Sequence, residues 1–466
     1  MAAPPLSVAA PSSPPSVVAT GAWQALLLLI LINLFNYIDR QVLAAVEPSV
    51  RAEFFPPVLD PQTGEIAEPP DAKALMGFLS FAFLATYMFL APVFGALATR
   101  MSRWLLIAIG VIVWSLASGA SGLAPWLEQV IGLPALALFG FAFPGVYLIM
   151  LVTRCCVGVG EAVYGPVAPD VISDLYSVDK RGQILAWFYA AIPFGGALGY
   201  ALGDLTVRVT GDWRWAFYLV VPPGILLGIW CLFLPEPPRG QSDQAIVSLR
   251  KPQWSDYLFL LRIPSYSLNL VGMTFMCFAM GALAFWAPGY LEHRQVAPML
   301  GIPPKTFFGL LTAVLGLIAT LLGGIAGDAL RERWSGSYFL VSGFAMCVGA
   351  PLLVLMVLLP FPLAWLPLAG FVFCLFFNTG PTNAINANVC HPLLRARGFA
   401  FNILIIHLLG DAASPTIIGA IIGQADRYDL AFQVVALTVL LGGVFWMCGA
   451  WYLKRDTERA PKVLPH

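Results

Sequence analysis

Apolar runs long enough to cross the roughly 30 Å hydrocarbon core of a bilayer recur along this chain, parted by shorter polar connections. Twelve stand out, at about 22–46, 73–98, 103–124, 145–168, 182–206, 214–234, 264–290, 305–328, 336–359, 362–388, 397–423 and 430–453. The pattern predicts an all-α, multi-pass integral membrane protein, and an even number of crossings puts both termini on one side. Residues 1–21 are rich in Pro, Ser and Ala and place no Lys or Arg before the first apolar run, unlike a cleaved signal peptide; a disordered tail is expected there. Two connections are long. Residues 47–71 read as an acidic, proline-containing loop, and the insertion 125–144 holds an apolar stretch at 133–143 that is too short to span and is expected to be an interfacial or re-entrant helix.

Of the 25 Lys and Arg residues, only Arg40 and Arg154 fall inside long apolar runs, Arg40 next to Asp39 and Arg154 seven residues before Glu161. An ionisable group in lipid costs a few kcal/mol or more, so it is normally paired, faces a protein interior and marks a transport or proton pathway. On a helix Asn33, Asn36, Tyr37 and Arg40 share a face with Asp39 at its edge. Arg154 and Glu161 lie about two turns apart, roughly 10 Å, on one face of another. One cation and one acid on each helix can neutralise each other crosswise. If the pairs rearrange, a buried carboxylate can take up and release a proton; if they are fixed, they only hold two helices together. Arg40 and Arg154 are also candidates for a phosphate headgroup, which guanidinium binds bidentately.

Composition narrows the class. Hydrophobic residues make up 59% and charged residues 11%, against roughly 25% charged in a soluble domain. A net charge of zero implies no nucleic-acid partner. Of the cations outside the apolar runs, sixteen fall on the side of the termini and seven opposite, which by the positive-inside rule makes both termini cytoplasmic and the expected site the plasma (inner) membrane. The eight cysteines lack metal-ligand spacing and read as small buried hydrophobes. His293, His391, His407 and His466 form no metal cluster, Gly158-Val-Gly160 lies in an apolar crossing rather than after a strand, and no Gly-Lys-Ser phosphate loop is present. No metal, cofactor, ATP drive or catalytic constellation is expected; a membrane enzyme acting on lipid is the reading from another class.

Gly95-Ala-Leu-Ala-Thr99-Arg100 after the second crossing is echoed by Gly324-Ile-Ala-Gly-Asp328 at the end of the eighth, about half a chain later. The chain therefore divides into a first six-helix half at 22–234, a polar linker at 235–257, a second half at 258–453 and a cytoplasmic tail at 454–466. Parallel repeats of this kind, binding substrate near the midplane, describe the major facilitator fold. Asn36-Tyr-Ile-Asp39-Arg40, Gly158-Val-Gly-Glu161-Ala, Ala168-Pro-Asp170, Ile172-Ser-Asp174, Asp212-Trp-Arg-Trp-Ala-Phe217, Asn378-Thr-Gly-Pro381 and His407-Leu-Leu-Gly-Asp411 together resemble a bacterial-type member of the Spinster branch of that superfamily, transporters of sphingosine-1-phosphate and lysophospholipids. The resemblance implies Asp39 and Glu161 as protonation switches and Arg154 as the residue that alternates between partners. It also implies a cytoplasmic gate motif in each half; Thr99 replaces the acid in the first, so the gate should lean on Asp328 and Arg331.

The second half is polar but scarcely charged. Asn378, Thr379, Thr382, Asn383 and Asn386 read equally as cavity lining or as interhelical glue, and the pair His407–Asp411 as structural, near an end of the bundle, or as an auxiliary proton site. Asn36, Tyr37 and Asn383 join Arg40 and Arg154 as candidate substrate contacts. Phe81, Phe83, Tyr87, Phe188, Tyr189, Phe278, Phe285 and Trp286 are candidates for an acyl-chain route. The expected function is proton-coupled transport of an amphipathic lipid, a lysophospholipid or sphingoid phosphate, by a monomer in contact with membrane lipids. The alternatives of the same fold are an organic-anion or sugar-acid carrier and a multidrug exporter.

Overall fold

The computed structural model describes residues 21–59, 66–67, 69, 72–138, 141–243, 253–423 and 427–460. Twelve helices in it are long and apolar enough to cross a membrane: α1 Ala22–Phe54, α2 Leu75–Leu97, α3 Arg103–Gly122, α4 Gly145–Leu175, α5 Arg181–Thr210, α6 Arg214–Cys231, α7 Pro264–His293, α8 Pro304–Arg331, α9 Ser337–Leu358, α10 Trp365–Val389, α11 Arg395–Ile422 and α12 Tyr428–Gly449. Both described chain ends and the linker between α6 and α7 share one end of the bundle, called here the linker end.

Three helices are interrupted, each for the same reason. Proline has no N–H for the carbonyl four residues earlier, and α5 breaks at Ala190 before Pro193, α10 at Asn378 before Pro381, and α11 winds a π turn over His407–Asp411 before Pro415. Asn378 repairs part of its break, its Nδ2 donating to the carbonyls of Cys374 (3.2 Å) and Leu375 (3.1 Å). The interruptions put polar backbone and side chains at mid-membrane depth where neighbouring helices cover them.

The two halves pack alike. In the first, α1 lies on α5 and α6, α3 on α4 and α6, and α2 on α4; in the second, α7 lies on α11 and α12, α9 on α10 and α12, and α8 on α10. Between halves, α2 meets α11 as α8 meets α5, and α4 meets α11 as α10 meets α5, the pairing that a two-fold relation between repeats requires. Small residues allow the approach: a Cβ on Gly95 would stand 2.5 Å from Ala400 Cβ, and one on Gly324 2.4 Å from Ala186 Cβ. Within halves Gly195 and Gly199 admit α1 against α5, and Gly272 lies under the Trp446 ring.

Several sequence expectations are corrected. The first crossing runs on to Phe54, so the loop expected from residue 47 starts later, and part of it lies outside the described residues. The stretch 133–143 is not a helix. A helix spans Ala124–Ile131 and ends at Gly132 in the left-handed region (φ 65°), and Leu136–Leu138 then pairs antiparallel with Phe141–Phe143. Leu-Ala-Leu against Phe-Ala-Phe alternates large and small side chains with the two-residue period of a strand, and Pro134 and Pro144 bracket it. Of the cysteines, Cys156 and Cys448 are exposed rather than buried. Past α12 the expected tail forms a helix, Leu453–Arg459, anchored by buried Asp456, which accepts a hydrogen bond from Ser265 N (3.0 Å). Residues 1–20, the linker stretch 244–252 and 461–466 lie outside the described residues.

Close packing gives a matched test within one helix. A Cβ on Gly323 would fall 1.6 Å from the Phe377 carbonyl oxygen freed by Pro381, whereas one on Gly309 meets nothing within 4 Å. Gly323→Ala should destabilise the protein by about 1–3 kcal/mol and lower its unfolding temperature in detergent, while Gly309→Ala should not. Equal unfolding temperatures for the two variants would refute the α8–α10 contact.

Candidate functional site

At the centre of the first half, α1, α3 and α4 bring two acids and two arginines together. Arg40 of α1 lies on Glu161 of α4, with Nε 2.7 Å and Nη2 2.5 Å from the same oxygen, Oε2. Aromatic faces enclose the guanidinium: Tyr37 at 4.8 Å, Tyr87 at 5.0 Å and Phe83 at 5.3 Å from ring centroid to Cζ. Arg40 keeps 17% of its side chain exposed and Glu161 only 1%, so the acid is reached past the cation. Asn36 neighbours Glu161, but its Nδ2 and Glu161 Oε1 stand outside hydrogen-bond geometry. Asn33 is used elsewhere, donating to the Phe188 carbonyl of α5 at 2.8 Å.

The second acid is connected differently from the direct crosswise pairing the sequence suggests. Asp39 accepts a hydrogen bond at Oδ1 from Ser118 of α3. Arg154 of α4 donates to Ser121 through Nε (3.2 Å) and Nη2 (3.1 Å) and reaches Ser118 at 3.5 Å. Its guanidinium rests 5.3 Å from the centre of the Phe217 ring. Ser118 therefore stands between Asp39 and Arg154, and Oδ2 of Asp39, like Oε1 of Glu161, is buried without a hydrogen bond. A carboxylate oxygen in that situation is costly while ionised. Sequence reasoning misses Ser118 and Ser121, although Ser115, Ser118 and Ser121 follow at intervals of three and so lie along one side of α3.

Facing this cluster from the second half, the Tyr87 ring lies 5.4 Å from the imidazole of His407, whose Nδ1 is 3.0 and 2.9 Å from the two carboxylate oxygens of Asp411. The pair occupies the π turn in the middle of α11, not an end of the bundle, because Pro415 loosens the helix there. The asparagines of α10 are buried and bonded. Asn386 Oδ1 accepts from Asn269 of α7 (2.9 Å), and Asn383 donates to Thr379 O of its own helix (2.9 Å). The geometry therefore makes Asn386 interhelical glue and does not bring Asn383 into the arginine cluster.

The linker end holds a second charge network, one that sequence reasoning counts as loop cations. Arg103 is fully buried and meets Asp174 (2.5 Å), Asp170 (3.1 Å) and Glu236 of the linker (2.7 Å). Arg395 of α11 crosses between halves to Asp174 (2.8 Å), and Arg181 of α5 donates to Asn388 of α10 (2.9 Å). Asp243, in a linker turn over Gln241–Asp243, sits between these two arginines at 2.8 Å from Arg181 and 2.5 Å from Arg395. Burial disfavours its charged form, but Arg395 and Arg181 outweigh that and hold the carboxyl down to about 2. Asp328 adds a further contact between halves, accepting from Gln183 N (2.7 Å) and from Tyr338 (2.6 Å), and Arg331 donates to the Val178 carbonyl. Thr99 turns back onto Ala96 O of its own helix (2.7 Å). Among the described residues, the hydrogen bonds and ion pairs between the halves all lie toward the linker end, so the bundle is closed there.

A family model for the Major Facilitator Superfamily matches residues 29–415. Protein spinster homolog 3 of Danio rerio is 31% identical over 97% of this chain and 89% of its own length. Human Protein spinster homolog 1 is 31% identical over 93% and 81%. Sphingosine-1-phosphate transporter SPNS2 of Danio rerio is 29% identical over 92% and 84%. Among solved structures, the proton:xylose symporter XylE superposes with a TM-score of 0.68 at 17% identity over 93% of this chain and 95% of that one. A bacterial homologue of the human lysosomal transporter Spinster, inward-facing and unoccupied, superposes with a TM-score of 0.55 at 20% identity over 98% and 100%. By fold, family model and extent of identity, the chain belongs to the Spinster family of the Major Facilitator Superfamily and is a multi-pass membrane transporter.

Proposed function

We propose that this transporter moves an amphipathic lipid phosphate, of the lysophospholipid or sphingoid type, by alternating access coupled to protons. The observation that carries the reading is the mixed bonding of the central cluster: one acid ion-paired to Arg40, the other joined to Arg154 only through Ser118. In this reading Asp39 and Glu161 take up the protons, and protonation frees a cation from carboxylate attraction. Arg154 and Arg40 then bind the substrate phosphate, with Asn36 and Tyr37 beside them. One guanidinium cannot fully engage a carboxylate and a phosphate at once, so substrate and proton compete. The rings of Tyr37, Phe83 and Tyr87 around Arg40 suit a ligand that is charged at one end and apolar at the other. A relative named as a sphingosine-1-phosphate transporter supports the same substrate class.

The excess of Lys and Arg at the linker end supports a cytoplasmic placement of that end, in the plasma (inner) membrane. In this reading the closed linker end corresponds to an outward-facing state. The charged contacts around Asp243, Asp174, Arg395 and Asp328 then form the cytoplasmic gate, and the protein works as a monomer because each half supplies its own share of them.

Transport tests the reading directly. In liposomes with an imposed pH gradient, the Asp39→Asn and Glu161→Gln double variant should lose gradient-driven uptake of sphingosine-1-phosphate or a lysophospholipid; unchanged gradient dependence would remove both acids from the mechanism. Arg154→Lys keeps the charge but loses the planar fork, and should weaken binding of the phosphorylated lipid. Equal affinity of the parent protein for phosphorylated and dephosphorylated lipid would rule out a phosphate role.

The gate has its own signature. Asp243→Asn leaves two buried arginines without the acid between them, and Asp328→Asn leaves one acceptor oxygen for the two donors Gln183 N and Tyr338 Oη; both should widen spin-label distances across the linker end more than Thr99→Ala does. A carboxyl held below its ordinary value contributes fully above that value and is lost only as pH falls through the lowered one. With Asp243 held down to about 2, its contribution stays constant through neutral and mildly acid pH. A conformational titration between pH 5 and 8 should therefore survive Asp243→Asn and vanish in the Asp39 and Glu161 variants; the reverse pattern would relocate the switch to the linker.

A further inference from the structure

Outside the transport path, the second half carries a cavity of about 300 Å³ at the linker end. Its walls come from the short helix Asp256–Leu260, the start of α7, the α10–α11 connection and the helix Leu453–Arg459 that follows α12. The charged lining is one-sided: Arg262, Arg455 and Arg459 against Asp456 alone. Asp456 is already engaged, accepting from Ser265 N at Oδ2 and from Arg455 Nε at Oδ1, both at 3.0 Å. Arg262 and Arg459 are exposed and form no ion pair among the described residues.

His391 also lines the cavity and adds a neutral donor. Burial and then the Arg395 guanidinium hold its imidazole down to about 4. Its Nδ1 accepts from Leu393 N at 3.1 Å, which leaves the proton on Nε2. The remaining lining is apolar, including Phe259, Leu260 and Ile263. Beside these elements Leu258, Leu261 and Trp451 are exposed, the last by 85%. The cavity lies within a few residues of where α7 begins and α12 ends, at the depth where a bilayer's headgroups meet its acyl chains.

We propose that this cavity binds the phosphate headgroup of an anionic membrane lipid, whose acyl chains run down the exposed apolar surface beside it. Two unpaired guanidiniums supply charge-assisted hydrogen bonds to phosphate oxygens. Cationic pockets at helix ends select anionic headgroups in this way. The shared chemistry is a phosphate ester or ion; the apolar rim is what favours a lipid over free phosphate. The site is separate from the central cluster, and its occupant is bound rather than transported.

The test is lipid titration of the purified full-length transporter in detergent, followed by native mass spectrometry, with phosphatidylglycerol, phosphatidylcholine and inorganic phosphate as probes. Phosphatidylglycerol should bind more tightly than phosphatidylcholine. The Arg262→Ala and Arg459→Ala double variant should weaken it by roughly tenfold or more, taking about 1 kcal/mol for each cation near a membrane surface. Both arginines are exposed, and an unfolding temperature equal to the parent's shows that the fold is kept. Asp39→Asn, which alters the central cluster, should leave this binding unchanged. Phosphatidylglycerol affinity that is indifferent to the double variant would overturn the proposal. So would inorganic phosphate binding as tightly as the lipid and with the same arginine dependence, since it would assign the cavity to a soluble anion.

Discussion

A charge inside a bilayer has to be met by another charge or by hydrogen bonds, because lipid offers neither and desolvation is never fully recovered. This requirement organises the protein more than any packing preference does. Arg40 is met by Glu161, Arg154 by two serine hydroxyls and the Phe217 ring, and Arg103 by three carboxylates. The two central acids are each left with one oxygen unbonded. The central cluster is thus satisfied in charge but incomplete in hydrogen bonding, whereas Arg103 and Arg395 at the linker end are densely bonded.

The linker is part of the charge network that joins the two halves. In a two-repeat architecture a connecting segment only has to span the distance between halves, yet Glu236, Gly240, Ser242 and Asp243 are each bonded into the first half, and Asp243 also to Arg395 of the second. Thr99 stands where the first-half motif would carry an acid, and it reaches only its own helix. The carboxylate missing from that loop is offset by one delivered from the linker. The two halves are therefore unequal at the linker end although their helices pack alike.

Prolines interrupt the helices around the centre. Pro193, Pro381 and Pro415 each free a carbonyl one turn earlier and interrupt α5, α10 and α11 at mid-membrane depth. The freed carbonyl of Phe377 is the atom against which Gly323 packs, so a break in one helix fixes the small residue in its neighbour. The π turn before Pro415 carries His407 and Asp411 into line with Tyr87 and so links the aromatic enclosure of Arg40 to the second half.

The sequence alone determined the twelve crossings, the two repeats and the identity of the buried charges, because each of these is a local property: run length, a recurring motif and an Arg or Asp within an apolar stretch. It did not determine who bonds to whom. Arg40 and Glu161 are 121 residues apart and Asp39 and Ser118 are 79 apart, and no spacing rule on one helix predicts which face of another will meet it. The serines of α3 were legible as a three-residue series but not as a relay, since a hydroxyl in a membrane helix bonds its own backbone as readily as a neighbour. The pairing of strand 136–138 with strand 141–143 was hidden because a short apolar run has no length by which to choose between helix and strand. The linker-end network was hidden for a different reason: Arg103, Arg181 and Arg395 are loop-end cations by sequence, and only the docking of the two halves with the linker between them buries them against Asp170, Asp174 and Asp243.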